Sequence, residues 1–360
     1  MFRDFLAPVA RALEPADMPA QSVTTNAIAP EAQMQALPGG YRTTQMLFVV
    51  AKLGLADLLA SGPRTPSDLA AATQTEAQPL FRLLRALASI GVFAERADGH
   101  FELTPLATTL RSDVKSSMRP FALSYGEAWW WDGFRELLHS VRTGQTGFGC
   151  AHGVELFEYL DQHPEHARTF NANMSAMTQD EAQAVIEAYD FSGTKVLADV
   201  GGGLGTFACA VLHSQPSARA IVFDQPSVIA GGPAAVAPSG LLGRLEFVGG
   251  SFFEAVPAGA DIYCLKDILH DWDDDQCVRI LGSVRRAMTQ TTRLLIIERV
   301  IPPGNEPFAG KMVDITMLVM TGGRERTAKE YRRLIDSAGL RLARMVPTSS
   351  GSSVIEAVIG

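Results

Sequence analysis

The stretch that most constrains the fold runs from residue 195 to residue 207 and reads K-V-L-A-D-V-G-G-G-L-G-T-F. Its first part is a short apolar run of the kind that forms a buried parallel strand. Glycines crowd the next positions, and a second apolar run then has the composition of a helix start. Because glycine has no Cβ atom, its backbone can approach a ligand closely. The stretch therefore predicts a strand–turn–helix unit that binds a nucleotide.

The glycine spacing indicates what kind of nucleotide this unit takes. Asp199, Gly201 and Gly203 form D-x-G-x-G, whereas the dinucleotide pattern G-x-G-x-x-G would require glycine where the chain has Thr206. This variant suits a ligand that lacks a pyrophosphate and carries a positive amine. A second apolar strand ends at Asp224, about twenty positions on, where an acidic residue typically binds ribose hydroxyls. The two signals favour an adenosine ligand over a glycine turn with no ligand.

The remainder of the C-terminal half alternates strand and helix patterns. Short apolar runs predict further strands, and capping residues predict the helices between them. The expected strands span residues 245–248, 262–265, 294–297, 340–346 and 354–359, with helix starts at Asp273 and Thr327. Such alternation is typical of a doubly wound α/β sheet, whose ligands lie at the carboxyl ends of the strands.

The N-terminal half has a different pattern, typical of a winged helix. Thr65 and Thr75 each head a segment with the capping residues of a helix, and the turn at Asp98-Gly99 predicts a hairpin wing. We expect four segments: an arm and linker over 1–40, a winged-helix-like domain over 41–115, a helical connector over 116–190 and a nucleotide-binding domain over 191–360. The arm either packs on a partner subunit or is disordered.

Charge and composition exclude several function classes. A winged helix can bind DNA, with Arg82 and Arg85 as the reading residues, but a net charge of −8 disfavours contact with phosphate backbones. No apolar run approaches 18 residues and the N-terminus has no apolar leader, so we expect neither a membrane span nor secretion. The four cysteines form no close pair, which fits a reducing cytoplasm.

Five motifs in fixed order resemble one enzyme family. They are L-A-D-V-G-G-G-L-G, F-D-Q-P, G-S-F-F-E-A-V-P, L-K-D-I-L-H-D-W-D-D and G-G-R-E-R-T. From about residue 41 to the C-terminus, the chain is similar to small-molecule O-methyltransferases of the plant caffeic-acid type and their bacterial secondary-metabolite relatives. The resemblance implies a Rossmann-like class I methyltransferase domain, a mostly helical winged-helix dimerisation domain and a homodimer. It also implies S-adenosylmethionine as cofactor, S-adenosylhomocysteine as product, and a hydroxylated aromatic or polyketide-like substrate.

The resemblance also assigns cofactor contacts beyond the glycine loop. Ser251 stands where the family usually has aspartate, so a hydroxyl replaces a charged acceptor near the adenine or ribose. Phe252 is expected to pack on the adenine face, and Lys266 to lie near the methionine tail of the cofactor.

His270 is the expected catalytic base. A phenol has a pKa of about 10 and histidine one near 6.5, so histidine can accept the proton as the oxygen attacks the methyl group. A histidine base needs an acceptor on its other ring nitrogen. Glu298 and Glu325 match the two flanking glutamates of the family, and either of them can fill this role. No metal ion is required, because base and cofactor suffice.

Substrate contacts are harder to predict. Asp271 either lines the substrate site or accepts hydrogen bonds near the following helix. An aromatic and methionine stripe is usually core, but the resemblance favours a few of its members as pocket walls: Trp130, Phe134, Met174 and Met177. The pair His163 and His166 has no third metal ligand nearby in sequence, so we interpret both as solvated surface histidines.

Two alternatives to methyl transfer remain. Some proteins on this scaffold catalyse hydroxylation, decarboxylation or pericyclic chemistry instead; they often lack the histidine, so His270 favours transfer. A ligand-responsive DNA-binding regulator is the second alternative, and the acidic net charge disfavours it.

Overall fold

The computed structural model describes residues 29–360, which divide into two compact units between Ala128 and Trp129. Most of the predicted arm and linker, residues 1–28, lies outside the described residues. The boundary falls inside the segment 116–190, which we expected to be one connector. Helix Arg119–Gly126 packs on Gly40–Lys52 in the first unit, and the rest of that segment belongs to the second.

The first unit consists of helices and a small hairpin. Its elements are α1 Pro30–Ala36, α2 Gly40–Lys52, α3 Leu55–Leu58, α4 Pro66–Thr73, α5 Ala77–Ala88, β1 Phe93–Glu95, β2 Phe101–Leu103, α6 Pro105–Thr108 and α7 Arg119–Gly126. Its core is formed by α5, which buries Leu80, Leu84 and Leu87 on one face, together with Phe93 and Phe101 of the predicted wing. The spacing of the leucines matches the helical repeat.

Residues 30–40, the end of the predicted arm and linker, are helical. Pro30 and Pro38 occupy first-turn positions, where a helix does not need the N–H that proline lacks. One local prediction in this unit is wrong. The expected capping box at Thr75 does not form: α5 begins one residue later, after Glu76, with no side-chain cap. The Thr75 hydroxyl instead lies 2.9 Å from that of Thr73. Thr65 caps α4 as predicted, and it also forms a capping box with Asp68.

The second unit begins with a helical segment. Its helices are α8 Ala128–Arg135, α9 Leu137–Thr143, α10 Gly147–His152, α11 Leu156–Gln162 and α12 Pro164–Ala188. The last of these is 25 residues long and packs on the helix that follows the glycine turn. Among the described residues, no helix is long and apolar enough to cross a membrane.

A seven-stranded sheet with flanking helices completes the second unit. The elements in order are β3 Val196–Val200, α13 Thr206–Ser214, β4 Arg219–Asp224, α14 Pro226–Ile229, α15 Gly232–Val236, β5 Leu245–Gly249, β6 Ile262–Lys266, α16 Asp274–Ala287, β7 Arg293–Glu298, α17 Gly310–Met320, α18 Ala328–Ser337, β8 Leu340–Pro347 and β9 Ser353–Ile359. The capping boxes that begin α16 at Asp273 and α18 at Thr327 are both formed.

The strand order explains where a ligand can bind. The order is β5-β4-β3-β6-β7-β9-β8, with β5 to β7 parallel and β8 and β9 antiparallel. The central strands are apolar on both faces because helices cover both sides. After β3 the chain adds β4 and β5 on one side of that strand, and it then crosses to the other side to form β6. The carboxyl ends of β3 and β6 therefore flank a topological switch point, where doubly wound sheets bind ligands.

Candidate active site

A cavity of about 540 Å³ opens at the switch point. The glycine loop after β3, Asp224 at the end of β4 and Lys266 at the end of β6 line it, and α12 forms the opposite wall. This size is typical of a small-molecule or cofactor site.

The glycine loop shapes the floor of the cavity. Gly201 has φ +73°, and its N–H donates to the carbonyl oxygen of Phe223 at 2.7 Å. A Cβ atom at this position would overlap the Ile268 side chain. The loop therefore requires glycine both for its backbone conformation and for its close approach to the chain after β6.

Asp199 lies beneath this loop rather than at its surface. It is 1% exposed, and its Oδ2 accepts a hydrogen bond from the backbone N–H of Ala208 at 3.2 Å, in the first turn of α13. Burial raises the pKa of Asp199 to about 7, although Lys266 opposes the shift. Asp199 thus holds the loop to the helix and keeps a carboxyl group at the cavity wall.

Asp224 is fixed by backbone donors on both oxygens. Its Oδ2 accepts from the N–H of Gly203 at 2.8 Å and its Oδ1 from the N–H of Gln225 at 2.7 Å. Burial raises its pKa, and these two hydrogen bonds oppose the shift. Each carboxylate oxygen retains acceptor capacity for a hydroxyl group of a ligand.

Lys266 belongs to a buried group of charges. Its Nζ lies 2.7 Å from Oε2 of Glu181 and also contacts Asp267, whose Oδ1 accepts from Arg299 at 3.3 Å. Burial disfavours the ammonium, but the two carboxylates outweigh that effect and raise the pKa of Lys266 above its usual value. Glu181 lies on α12 outside any recognised motif, so the sequence alone does not indicate its role.

The two residues expected near the adenine occupy different positions. Phe252 lines the cavity, with its ring edge-on to Trp272 at a centroid distance of 6.0 Å. Ser251 is not among the lining residues; its Oγ accepts from the N–H of Phe253 at 3.3 Å, within the turn after β5.

His270 lies on a 3₁₀ turn, Leu269–Asp271, directly after β6. Oε1 of Glu298 lies 3.1, 2.8 and 3.3 Å from three consecutive backbone N–H groups of this segment, those of Ile268, Leu269 and His270. The nearer oxygen of Glu325 is 3.0 Å from Nδ1 of His270, whereas Glu298 Oε2 is 3.6 Å away. The structure thus separates the two glutamates: Glu298 holds the backbone of the turn, and Glu325 faces the imidazole ring.

Arg326 holds the same turn from its carbonyl side, a role that no sequence motif indicates. Its guanidinium is fully buried and donates to the carbonyl oxygens of Leu269 and Trp272, each at 2.8 Å, and to Asp274. Leu269 and Trp272 flank His270 in sequence. Glu298 therefore accepts from backbone N–H groups of this segment, and Arg326 donates to its backbone carbonyl oxygens.

The glycine pair before Glu325 lets its loop pass close to the turn. A Cβ atom at Gly323 would overlap the carbonyl oxygen of His270. Glu325 is consequently 4% exposed, although it stands between two arginines in sequence. Both of those arginines pair with Asp274 instead.

Family comparison identifies the protein's class. Residues 134–341, more than half of the chain, match the model of an O-methyltransferase domain, and residues 35–113 match an O-methyltransferase dimerisation domain. The chain belongs to this O-methyltransferase family. Because the winged-helix segment matches a dimerisation domain, the DNA-binding alternative loses its main support.

Individual relatives agree with this assignment. The phenazine O-methyltransferase PhzM of Lysobacter antibioticus is 47% identical over 322 residues, covering 88% of this chain and 93% of that protein. A crystal structure of LaPhzM covers 92% of this chain and 100% of its own, with 45% identity and a TM-score of 0.90. The O-methyltransferase NcsB1 from neocarzinostatin biosynthesis was solved with S-adenosylmethionine and 2-hydroxy-5-methyl naphthoic acid. It is 33% identical, with a TM-score of 0.76, covering 88% of this chain and 96% of its own.

The methyltransferase has a cavity that fits its cofactor, S-adenosylmethionine. The backbone approach at Gly201 and the fixed carboxylate of Asp224 suit an adenosine, and the buried ammonium of Lys266 suits a carboxylate tail. The predicted fold class is confirmed by the family match and by the sheet topology.

Charges around His270 control its protonation. Burial disfavours the imidazolium, but the carboxylates of Glu298, Asp271 and Glu325 outweigh burial and hold the pKa of His270 well above its usual value. Burial raises the pKa of Asp271 to about 6. Nε2 of His270 lies 3.9 Å from Oδ1 of Asp271, which lines the cavity. His270 itself is 7% exposed and is not among the lining residues.

Of the four predicted pocket-wall residues, only Met174 is among those that line this cavity. Trp130 and Phe134 pair with each other on α8 at a centroid distance of 6.3 Å, and Met177 is half-buried on α12. The cavity wall instead includes Phe157 and Phe170. The substrate roles of the other three residues stay predictions.

The histidine pair at the start of α12 is not simply solvated. His163 and His166 are both half-buried, and their rings stack on Tyr159 at centroid distances of 4.1 and 5.6 Å. The hydroxyl of Tyr159 lies 3.1 Å from Nδ1 of His166. Oε1 of Glu165 lies 3.7 Å from Nδ1 of His163, so a third potential ligand is nearby after all. Aromatic packing occupies these rings in the structure.

Proposed function

We propose that this methyltransferase transfers the methyl group of S-adenosylmethionine to a hydroxyl group of an aromatic or polyketide-like small molecule, with His270 as the general base. The main supporting observation is the 3.0 Å contact between Nδ1 of His270 and Glu325. Asp271, which follows His270 on the same turn, lines the cofactor cavity. S-adenosylmethionine supplies an electrophilic methyl group on a sulfonium when bound.

The cofactor site uses residues from four strand ends. We assign Asp224 to the ribose hydroxyls, Phe252 to the adenine face, and Lys266 with Asp199 to the methionine tail. The backbone of Gly201 and Gly203 forms the surface against which this ligand packs. Supporting this assignment, all six residues line the cavity.

Proton transfer follows from the tautomer of His270. An ionised carboxylate can only accept a hydrogen bond, so Glu325 places the proton of a neutral His270 on Nδ1 and leaves Nε2 as the basic atom. Nε2 takes the hydroxyl proton of the substrate as its oxygen attacks the methyl group. The carboxylates of Glu298, Asp271 and Glu325 then stabilise the imidazolium. Because these charges raise the pKa of His270, the free base is scarce at low pH and activity rises with pH.

The substrate class rests on the cavity and on the relatives. Phe157, Phe170 and Met174 offer apolar and aromatic walls, and Asp271 offers an acceptor near the base. The relatives include a phenazine methyltransferase and a complex with a hydroxylated naphthoic acid. A planar hydroxylated aromatic fits both observations.

Substituting His270 tests the mechanism. His270→Gln preserves polarity and removes the basic nitrogen, so turnover at neutral pH should fall by roughly 10²–10⁴ while cofactor affinity is retained. The loss should shrink as pH approaches about 10, where the phenol ionises by itself. Methyl transfer from labelled S-adenosylmethionine to a panel of phenols and hydroxyquinones measures both effects. His213→Gln, at an exposed histidine on α13, is the matched control. Near-native turnover of His270→Gln at neutral pH would overturn the assignment of the base.

We also infer that the enzyme is a cytoplasmic homodimer, held by the winged-helix segment 41–115. This segment exposes several large apolar side chains that an interface would cover: Tyr41, Val49, Ile90 and Leu106. The match to a dimerisation domain supports this inference. Sedimentation as a monomer at micromolar concentration would contradict it.

A further inference from the structure

Four charged side chains, two of them buried and two half-buried, form a continuous chain beside the cofactor cavity. Glu181 of α12 contacts Lys266, Lys266 contacts Asp267, and Asp267 contacts Arg299. The side chains of Glu181 and Lys266 are only 7% and 6% exposed. Asp267 has φ +51°, a conformation that non-glycine residues rarely adopt, which indicates a position held by its surroundings.

Glu181 continues the face of α12 that borders the cavity. Asn171, Ser175 and Thr178 line the cavity at helical spacing, and Glu181 follows Thr178 after three positions. Its carboxylate therefore reaches from the helical wall to the strand end that carries Lys266.

The hydrogen-bonding capacity of Lys266 indicates what this contact does. An ammonium has three N–H donors, and Glu181 and Asp267 accept two of them. Lys266 also lines the cavity, so its third donor is available to a ligand. A lysine side chain has many rotamers, and two fixed acceptors restrict it to one direction.

We propose that Glu181 is a positioning residue that orients the ammonium of Lys266 so that its third N–H binds the carboxylate of the cofactor's methionine tail. The proposal rests on the proposed function, which takes S-adenosylmethionine as the methyl donor. Stability alone gives little reason for the contact, because replacing a buried ion pair by apolar residues is often neutral or stabilising. Charge balance gives little reason either, since Asp267 already pairs with Lys266.

Cofactor binding measured without substrate tests the proposal. Titration calorimetry of S-adenosylmethionine and of S-adenosylhomocysteine should show that Glu181→Gln weakens both ligands about equally, by roughly tenfold. Both ligands share the carboxylate, whereas only the first has the sulfonium charge. The turnover number at saturating cofactor should change by less than about twofold, since the reacting groups are untouched. Glu187→Gln is the matched control, because Glu187 lies on the same helix and is exposed, with Gln183 as its hydrogen-bond partner; its affinities should equal those of the wild type.

A double-mutant cycle makes the test specific to Lys266. In a Lys266→Met background, Glu181→Gln should cause no further loss of affinity, and thermal unfolding would verify that each variant is folded. Three outcomes would overturn the proposal: unchanged affinity in Glu181→Gln, weakening of S-adenosylmethionine alone, or an undiminished effect in the Lys266→Met background. If the affinities behave as expected but no hydroxyl acceptor is methylated, the proposed function fails while the role of Glu181 stands.

Discussion

The cofactor end of the cavity and the turn that carries His270 lie side by side but are built differently. At the cofactor end, Asp224 bonds the next residue in the chain and a glycine 21 positions earlier, all through backbone N–H groups. At the turn, the stabilising partners are side chains 28 to 57 positions away, and all are charged. The glycine motif and the residue after Asp224 suffice to hold Asp224, whereas the turn exists only when distant segments fold together. Substitutions should therefore have local effects at the cofactor end and broad effects at the turn.

The largest expected effect is the loss of Arg326. Arg326→Met should lower the free energy of unfolding by about 2–4 kcal/mol, because the carbonyls of Leu269 and Trp272 each lose a charged donor at 2.8 Å inside the protein. Turnover should fall as well, since the turn that carries His270 loses one of its two supports. Urea unfolding and steady-state kinetics measure the two effects.

Arg324 provides the control for this comparison. It also pairs with Asp274, but its side chain is 45% exposed and it has no contact with the turn. Arg324→Met should therefore cost less than about 1 kcal/mol and leave turnover intact. Equal losses in the two variants would show that the pairing with Asp274, rather than support of the turn, is what matters.

A smaller effect is expected when Glu325 loses its charge but retains its shape. In Glu325→Gln the amide oxygen can still accept from Nδ1 of His270, so the ring stays oriented. One of the carboxylates that raise the pKa of His270 is lost, so its pKa falls. The acidic limb of the pH profile of kcat/KM should move to lower pH, and maximal turnover should drop roughly tenfold as the imidazolium loses a charged acceptor. Glu306→Gln, at an exposed position, should leave the profile unchanged.

The same variant should change the pH dependence of stability. The pKa of His270 is raised in the folded state, so its protonation stabilises the fold fully below the unfolded value of about 6.5 and is lost as pH rises through the folded pKa. The difference in unfolding free energy between wild type and Glu325→Gln should therefore be largest at acidic pH and shrink towards alkaline pH. A difference that grows with pH would contradict the raised pKa.

The smallest and most local effect is expected at the cofactor end. Asp224→Asn retains an acceptor oxygen but replaces the other with an amide that cannot accept from a backbone N–H. Cofactor affinity should fall roughly tenfold by calorimetry. The turnover number at saturating cofactor and the pH profile should stay near wild type, since His270 is untouched. A shifted profile would show that the two ends of the cavity are coupled more tightly than their separate contacts imply.

The difference between the two ends also explains what could be predicted from the sequence. The parallel strands, the glycine turn and the capping boxes at Thr65 and Thr327 follow from local patterns, and the structure contains them. The box expected at Thr75 failed because a one-residue change in the helix start removes it, and no local signal determines that register.

The charged partners of the site could not be found this way. Arg326 follows two charged residues, Arg324 and Glu325, and only folding shows that Arg326 is buried whereas Arg324 is exposed. Glu181 lies on a helix among other polar residues, and its partner is 85 positions away. The sequence also could not show which glutamate, Glu298 or Glu325, faces the His270 ring. Only their distances to Nδ1 of His270 in the folded protein distinguish them.

Helix α12 has a consequence for changing the substrate range of this enzyme. Phe170 and Met174 border the cavity on the same helix whose carboxylate at 181 reaches Lys266. Substituting Phe170 or Met174 leaves the contact between Glu181 and Lys266 intact. Inserting or deleting a single residue between 174 and 181 would rotate the rest of the helix by about 100° and shift it by about 1.5 Å, and would swing Glu181 away from the strand end. Recombination with relatives therefore has to conserve the number of residues in this segment, even where it replaces their identity.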